Sequence, residues 1–380
     1  MSFKSLGLSD SLLKAIDAQQ YTSPFPIQQE AIPAILAGKN IQGIAQTGSG
    51  KTASFVLPIL ELFQRKKSDR SLHLKVLILV PTRELAVQIS EVITSFSEKL
   101  PNKVKNMAIF GGVSLNQQMQ KLKDTEILVA TPGRLLDMVS TNSISLRRIE
   151  MLVLDEADKM LDLGFQDEMA DIFRLLPNQR QNILFSATLD TKLEIIKENL
   201  HCEPIKIEVE EETQNLDLIQ QTAYLTEPER KGPLLRYIIK TQAMQQVLVF
   251  TSSVRTADNV VMKLKKNGIN ALAIHSQKSQ SARTEALRAF KAGKVTVLVA
   301  TDLASRGIDI QFLPFVINYE LPRSPKDYVH RIGRTGRATA SGEAISLICP
   351  EDMHHFKVIQ KKMGRRVEYI NSEEFDLGKY

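Results

Sequence analysis

Short apolar runs recur along the chain at Ile41–Ala45, Val76–Val80, Met107–Phe110, Ile127–Ala130, Met151–Leu154 and Asn182–Phe185, with amphipathic segments of helical length such as Glu84–Phe96 between them. Short β-rich runs separated by helical periods predict strands and helices in alternation. Such a rhythm builds a mainly parallel sheet with helices on both faces, and it places ligands beyond the carboxyl ends of the strands. The acidic, polar run Glu208–Asn215 interrupts the rhythm and reads as a linker, with a charged surface helix as the alternative. Strands are then expected at Val247–Phe250, Ala271–Ile274, Val295–Ala300, Phe315–Tyr319 and Ala344–Ile348. The expected fold is α/β with two tandem domains, residues 1–207 and 219–366, a linker at 208–218 and a short tail at 367–380.

Composition agrees with that division. At 380 residues the chain exceeds the size at which one hydrophobic core stops growing, and 43% hydrophobic with 24% charged residues excludes a disordered or fibrous chain. Residues 1–218 hold 24 basic and 28 acidic groups, and residues 219–380 hold 25 and 15. The basic second half suits a polyanion such as nucleic acid, or is simply a solvated basic surface. Cys202 and Cys349 fit neither a disulfide framework nor a zinc spacing, so a reducing cytoplasm is expected. No apolar run approaches the ~18 residues of a membrane span, so no membrane partner is expected.

The first candidate chemistry is Ala45-Gln46-Thr47-Gly48-Ser49-Gly50-Lys51-Thr52, which follows an expected strand and opens the expected helix Thr52–Phe63. That context is what a phosphate loop requires. Gly48 and Gly50 let backbone N–H groups curl around phosphate, Lys51 can reach the β and γ phosphates, and Thr52 can ligate Mg²⁺. Ala45 stands where the general motif has glycine, at a strand end where a small residue suffices. The second is Met151–Asp158, an apolar strand that delivers Asp155 and Glu156 at its carboxyl end. There Asp155 can hold Mg²⁺, partly through water, and Glu156 can polarise a water for attack on the γ-phosphate.

Residues 155–158 read Asp-Glu-Ala-Asp, and the chain resembles the DEAD-box ATP-dependent RNA helicases of superfamily 2 over nearly its whole length. The resemblance implies two RecA-like domains with ATP, bound with Mg²⁺, in the cleft between them, and it makes Ala45 the expected residue. Tyr21–Gln28 resembles the family's adenine-reading Q motif, with Phe3 as its upstream aromatic. A Gln28 amide offers the donor and acceptor that complement the N6 and N7 groups of adenine, while Phe3 can stack on the base. Gln20 replaces a usual Gly, and Phe25 replaces a usual Thr or Ser. Ser186-Ala187-Thr188 resembles the motif whose hydroxyls, Ser186 and Thr188, bond Asp158 and couple hydrolysis to strand separation. Pro81, Arg83, Gly112, Thr131, Gly133 and Arg134 match the family's RNA-backbone contacts on the first domain.

On the second domain, His330-Arg331-Ile332-Gly333-Arg334-Thr335-Gly336-Arg337 carries three arginines at spacing three. Arginine presents a planar, permanent charge to a γ-phosphate. By the resemblance Arg334 and Arg337 are catalytic fingers, and His330 and Arg331 bridge the cleft. Asp309 would accept ribose hydroxyls, and Thr251, Gln280, Arg283 and Thr301 would touch RNA. The run His275–Arg283, with the amino terminus, looks most like the bacterial RhlE-type subgroup. The implied activity is RNA-stimulated ATP hydrolysis by a monomeric two-domain clamp. It would separate short duplexes or remodel RNA–protein complexes with little sequence preference, in ribosome precursors or RNA decay. A DNA helicase and an ATP-gated RNA clamp that separates no strands are the rival readings.

Overall fold

The computed structural model describes residues 2–45, 49–65, 73–187, 194, 196, 200, 203–209, 219–302, 313–336 and 342–379. The chain divides into two compact units, Met1–Glu211 and Glu212–Tyr380. The strands of the first are β1 (Ile41–Ile44), β2 (Val76–Leu79), β3 (Asn106–Ile109), β4 (Ile127–Ala130), β5 (Met151–Leu154), β6 (Gln181–Ser186) and β7 (Ile205–Glu208). Those of the second are β8 (Ile219–Leu225), β9 (Val247–Thr251), β10 (Ala271–Ile274), β11 (Val297–Thr301), β12 (Phe315–Asn318), β13 (Gly342–Ile348) and β14 (Glu368–Asn371).

All pairings within the two sheets are parallel, in the orders β3-β4-β2-β5-β6-β1-β7 and β10-β11-β9-β12-β13-β8-β14. Parallel strands need crossover helices, which cover both faces and bury the strands completely. Successive side chains accordingly enter different cores. Val76, Ile78, Val129 and Val153 pack on one face of the first sheet, and Leu77, Leu79, Leu128 and Leu154 on the other. The second sheet repeats this, with Val247, Val249 and Val299 on one face and Leu248, Phe250 and Leu298 on the other.

The expected strands are present to within two residues. Three further strands, β7, β8 and β14, were not anticipated. β14 pairs with β8 from Glu368↔Thr222 to Asn371↔Leu225, so residues 368–371 of the expected tail form an edge strand of the second sheet. Glu208, assigned to the linker, ends β7, while 210–218 lie outside the described residues. Among the described residues no helix is long and apolar enough to cross a membrane.

Candidate nucleotide and RNA site

The first phosphate-loop residue, Ala45, is buried just past β1, and its N–H donates to the Ser186 carbonyl at the end of β6 (3.0 Å). Gln46, Thr47 and Gly48 lie outside the described residues. Ser49 and Gly50 lead into the helix Lys51–Arg65, whose first residues are Lys51 and Thr52. Gly50 sits at φ +84°, where a side chain is strained, and an added Cβ would approach Gln28 Nε2 to 2.4 Å. The Gly50 carbonyl accepts from Gln28 Nε2 at 3.0 Å and from Ser54 Oγ at 3.1 Å.

Gln28 is fully buried and ties the Q motif to this loop. Its Oε1 accepts from the Phe25 N–H (2.9 Å) while its Nε2 holds Gly50. An amide carries two donors and two acceptor lone pairs, so one of each is left for a base edge. Phe3 is 6% exposed, its ring set edge-on to Tyr21 at 6.4 Å between centroids, so it is committed to the core here.

The decisive feature is Lys51. Its side chain is buried, and among the described residues its ammonium has no hydrogen-bond partner. A buried ammonium without hydrogen bonds costs several kcal/mol, roughly, unless a ligand supplies acceptors and counter-charge. Asp155, just beyond β5, is also buried. Desolvation pushes its pKa up to about 6, against the lowering pull of Lys51. A buried ammonium with no hydrogen-bond partner among the described residues, beside a destabilised carboxylate, suits a phosphate and a divalent cation, so the residues present fit MgATP.

Glu156 adopts φ 53°, ψ 47°, a left-handed conformation rare for a residue with a side chain and typical of functional turns. Its Oε1 accepts from Lys159 Nζ at 2.6 Å, and its buried Oε2 has no hydrogen-bond partner among the described residues. Lys159, not anticipated from sequence, therefore orients the expected catalytic base. Asp158 Oδ2 accepts from the Ala187 N–H at 3.2 Å, so this link to the Ser-Ala-Thr turn runs through backbone. Ser186 is buried at the end of β6, and Thr188 lies outside the described residues.

Sheet order sorts the remaining candidates. Pro81, Gly112 and Thr131 follow β2, β3 and β4, whereas Ala45, Asp155 and Ser186 belong to the carboxyl ends of β1, β5 and β6. One half of the first sheet thus carries the RNA candidates and the other half the nucleotide candidates. Arg83 lies against Gly112, where an added Cβ would fall 2.0 Å from its Nη1. Thr131 precedes the helix Pro132–Ser140, and Gly133 faces open space. Arg134 needs correction as an RNA contact. It donates to the Val113 carbonyl (3.0 Å) and Gln118 Oε1 (2.9 Å) and pairs with Asp137 at 3.3 Å, which makes it a positioning residue for the neighbouring loop.

The second unit shows the same partition. Thr251 ends β9, Thr301 ends β11, and Gln280 and Arg283 occupy the first turn of the helix after β10. Ser252, Val254, Ser276, Thr301, Asp302, Arg323 and Asp327 line an open cavity of about 350 Å³ there. Thr251 itself is 0% exposed, and its neighbour Ser252 lines the cavity. Gln280 and Arg283 are mostly buried.

Arg331 is the clearest correction. It was expected to reach across the cleft, but it is 2% exposed and satisfied inside its own unit. Nε and Nη2 grip the two Asp302 oxygens at 2.6 and 2.7 Å, and Nη1 donates to Asn318 Oδ1 (3.0 Å) and the Glu320 carbonyl (2.6 Å). The guanidinium also lies 4.8 Å from the Phe250 ring centroid. Four of its five N–H groups are used, so Arg331 braces the turn after β11. His330 is exposed one residue earlier. Arg334 is half-buried, its carbonyl accepting from the Leu313 N–H (3.1 Å), and Gly336 at φ +66° closes the turn. Arg337 and Asp309 lie outside the described residues.

Two family models match this arrangement. Residues 25–196 match the DEAD/DEAH box helicase model, and residues 230–339 match the helicase conserved C-terminal domain. The chain is 40% identical over 97% of its length, and 75% of the relative's, to the ATP-dependent rRNA helicase rrp3 of Botryotinia fuckeliana. It is 38% identical over 97% of its length, and 73% of the relative's, to the DEAD-box ATP-dependent RNA helicase RhpA of Helicobacter pylori. The structure of S. cerevisiae Dbp5 bound to RNA and ADP BeF3 aligns with a TM-score of 0.83 and 31% identity, over 100% of this chain and 97% of that one. Both units are accordingly RecA-like, and the chain belongs to the DEAD-box ATP-dependent RNA helicases.

Proposed function

We propose that the chain hydrolyses ATP in an RNA-stimulated cycle that separates short duplexes or remodels RNA–protein complexes. The observation that carries this reading is the buried Lys51 ammonium, which has no hydrogen-bond partner among the described residues and acts electrostatically on Asp155. Lys51 neutralises the β and γ phosphates, and Glu156, freed from Lys159 or sharing it, takes the proton of the attacking water. Mg²⁺, held by Thr52 and Asp155 partly through water, would supply charge neutralisation on the phosphate oxygens. Arg334 and Arg337 act as fingers in the RNA-bound state, so hydrolysis without RNA is slow. Gln28 reads the adenine edge with its spare donor and acceptor.

The RNA candidates offer hydroxyls, glycine N–H groups and arginine, which suit phosphate and 2′-hydroxyl and not base edges. Affinity then falls steeply with salt and depends little on sequence. The relatives titled rRNA helicases favour ribosome precursors over RNA decay as the target, and the run His275–Arg283 favours the RhlE-type subgroup, acting as a monomer in the cytoplasm. Turnover measured with and without RNA, and with DNA of the same sequence, tests the reading. Stimulation by RNA alone is expected; equal rates in all three would overturn it. Strand displacement on a short duplex then separates a helicase from a clamp that only holds RNA.

A further inference from the structure

Phe25 stands where the resemblance expects a small hydroxyl residue, and it leaves 47% of its surface exposed. In the first unit, the exposed large apolar side chains among the described residues are Phe25, Leu175 and Ile205. Of these, only Phe25 adjoins the phosphate loop: a Cβ added to Gly50 would lie 2.8 Å from its Cδ2. Gln28, the expected adenine reader, touches both sides of the junction, accepting from the Phe25 N–H and donating to the Gly50 carbonyl.

The backbone that carries the ring is fixed. Phe25 lies between Pro24 and Pro26, and a residue before proline is confined to extended conformations. It adopts φ −65°, ψ 157°, and its carbonyl accepts from the Gln28 and Gln29 N–H groups at the start of the helix Pro26–Leu36. A flat apolar ring fixed next to a polar reader and a phosphate loop is preorganised for a ligand that combines a flat base with phosphates. Phe3, the aromatic expected to stack there, is 6% exposed and set against Tyr21.

We infer that Phe25 is a binding residue for the purine base of the nucleotide, supplying aromatic contact area that a threonine or serine at this position lacks. The inference rests on the ATP-site reading above. Binding of ATP and of inorganic tripolyphosphate, which has no base, is to be measured by calorimetry on the full chain and on Phe25→Ala and Phe25→Tyr, with thermal unfolding as the check on folding. Phe25→Ala should weaken ATP about tenfold, the scale of a lost base–aromatic contact. Tripolyphosphate affinity should not change, and Phe25→Tyr should stay within about twofold of the parent chain. Equal weakening of ATP and tripolyphosphate would show that the ring only packs the Gly50 turn, and unchanged ATP binding would show that it meets no base; either overturns the inference. So would an effect confined to RNA affinity. A parent chain that binds ATP yet shows no RNA-stimulated turnover would defeat the helicase reading, leaving the binding comparison to decide on Phe25.

Discussion

The two units share one strand order, and the same positions in it carry opposite chemistry. β1 feeds a helix that begins at Lys51, and β8 feeds one that begins, after a short turn, at Lys231. Among the described residues the buried Lys51 ammonium has no hydrogen-bond partner, whereas Lys231 Nζ lies 3.2 Å from Asp352 Oδ2. Asp155-Glu156 follows β5; at the matching place Tyr319-Glu320 follows β12, with the Tyr319 hydroxyl pushed up to about 12 by burial. The connection after β8 reads Thr226-Glu227-Pro228-Glu229-Arg230, whose acids repel phosphate. A fold of this kind offers a ligand position wherever strands end, and the side chains decide whether it is left for a ligand or closed by the protein itself.

The largest expected effect tests that distinction directly. Lys51→Ala should lower kcat/KM for ATP by roughly a hundredfold to a thousandfold, the scale of a lost charge-stabilising donor. Lys231→Ala should leave it within about threefold, because its counter-charge is internal. Steady-state turnover with saturating RNA reads both. Comparable losses in the two variants would mean that the second unit's lysine also serves the nucleotide, and the contrast would fail.

Next in size is the Arg331 brace. Removing one partner of a fully buried, hydrogen-bonded ion pair costs ~3–5 kcal/mol, and water on the one-third-exposed Asp302 side chain brings this down to ~2–3 kcal/mol. Arg331→Ala should therefore lower the stability of the second unit by about that amount, seen as faster amide exchange at β11 and β12 with the first unit's exchange unchanged. A variant that loses turnover while both units keep their protection would restore Arg331 to its expected role as a bridge across the cleft.

This brace marks where sequence reading stopped. Strands such as β2 and β5 are legible because every position is buried and apolar, as a doubly covered parallel strand requires. β7 is an edge strand with one buried residue in four, β14 is another edge with none fully buried, and β8 interrupts its apolar run with Gln220-Gln221. None carries the pattern that flags a strand. Lys51, Asp155 and Glu156 were legible because a phosphate site needs those groups at fixed short spacings. Arg331 and Arg134 were misplaced because a motif shows the guanidinium but not its partners: Asp302 is 29 residues away from Arg331, and Gln118 is 16 from Arg134. Lys159 was overlooked although it lies one turn beyond Glu156, the ordinary spacing for a helical ion pair.

A smaller effect separates function from stability in the first unit. The Asp155 pKa is raised from 3.8 to about 6, chiefly by burial, so the folded unit holds a proton that the unfolded chain has released. Its contribution to stability therefore falls as pH rises from about 4 through about 6, and at pH 8 the full penalty is present. Asp155→Asn should raise the nucleotide-free stability of the first unit at pH 8, converge with the parent chain near pH 4, and abolish metal-dependent turnover. A uniform shift at both pH values would assign the change to packing and not to charge.

The smallest effect concerns the pair that closes the second unit's ligand position. The Lys231 side chain is 10% exposed and that of Asp352 28%, so water screens the pair only in part. A double-mutant cycle with Lys231→Met and Asp352→Asn should give a coupling of ~1 kcal/mol, near the upper end for partly exposed pairs. Lys231→Met alone leaves Asp352 able to turn towards solvent, whereas Asp352→Asn leaves a mostly buried ammonium facing a neutral amide, so the second change should cost more. That order reverses what exposure alone suggests, since Asp352 is the more accessible of the two. It holds only if Lys231, like Lys51, is a buried cation that requires a counter-charge. Asp352→Asn should then also give the second unit a weak affinity for inorganic phosphate that the parent chain lacks. If it binds none, the two lysines share a position in the fold but not a physical problem.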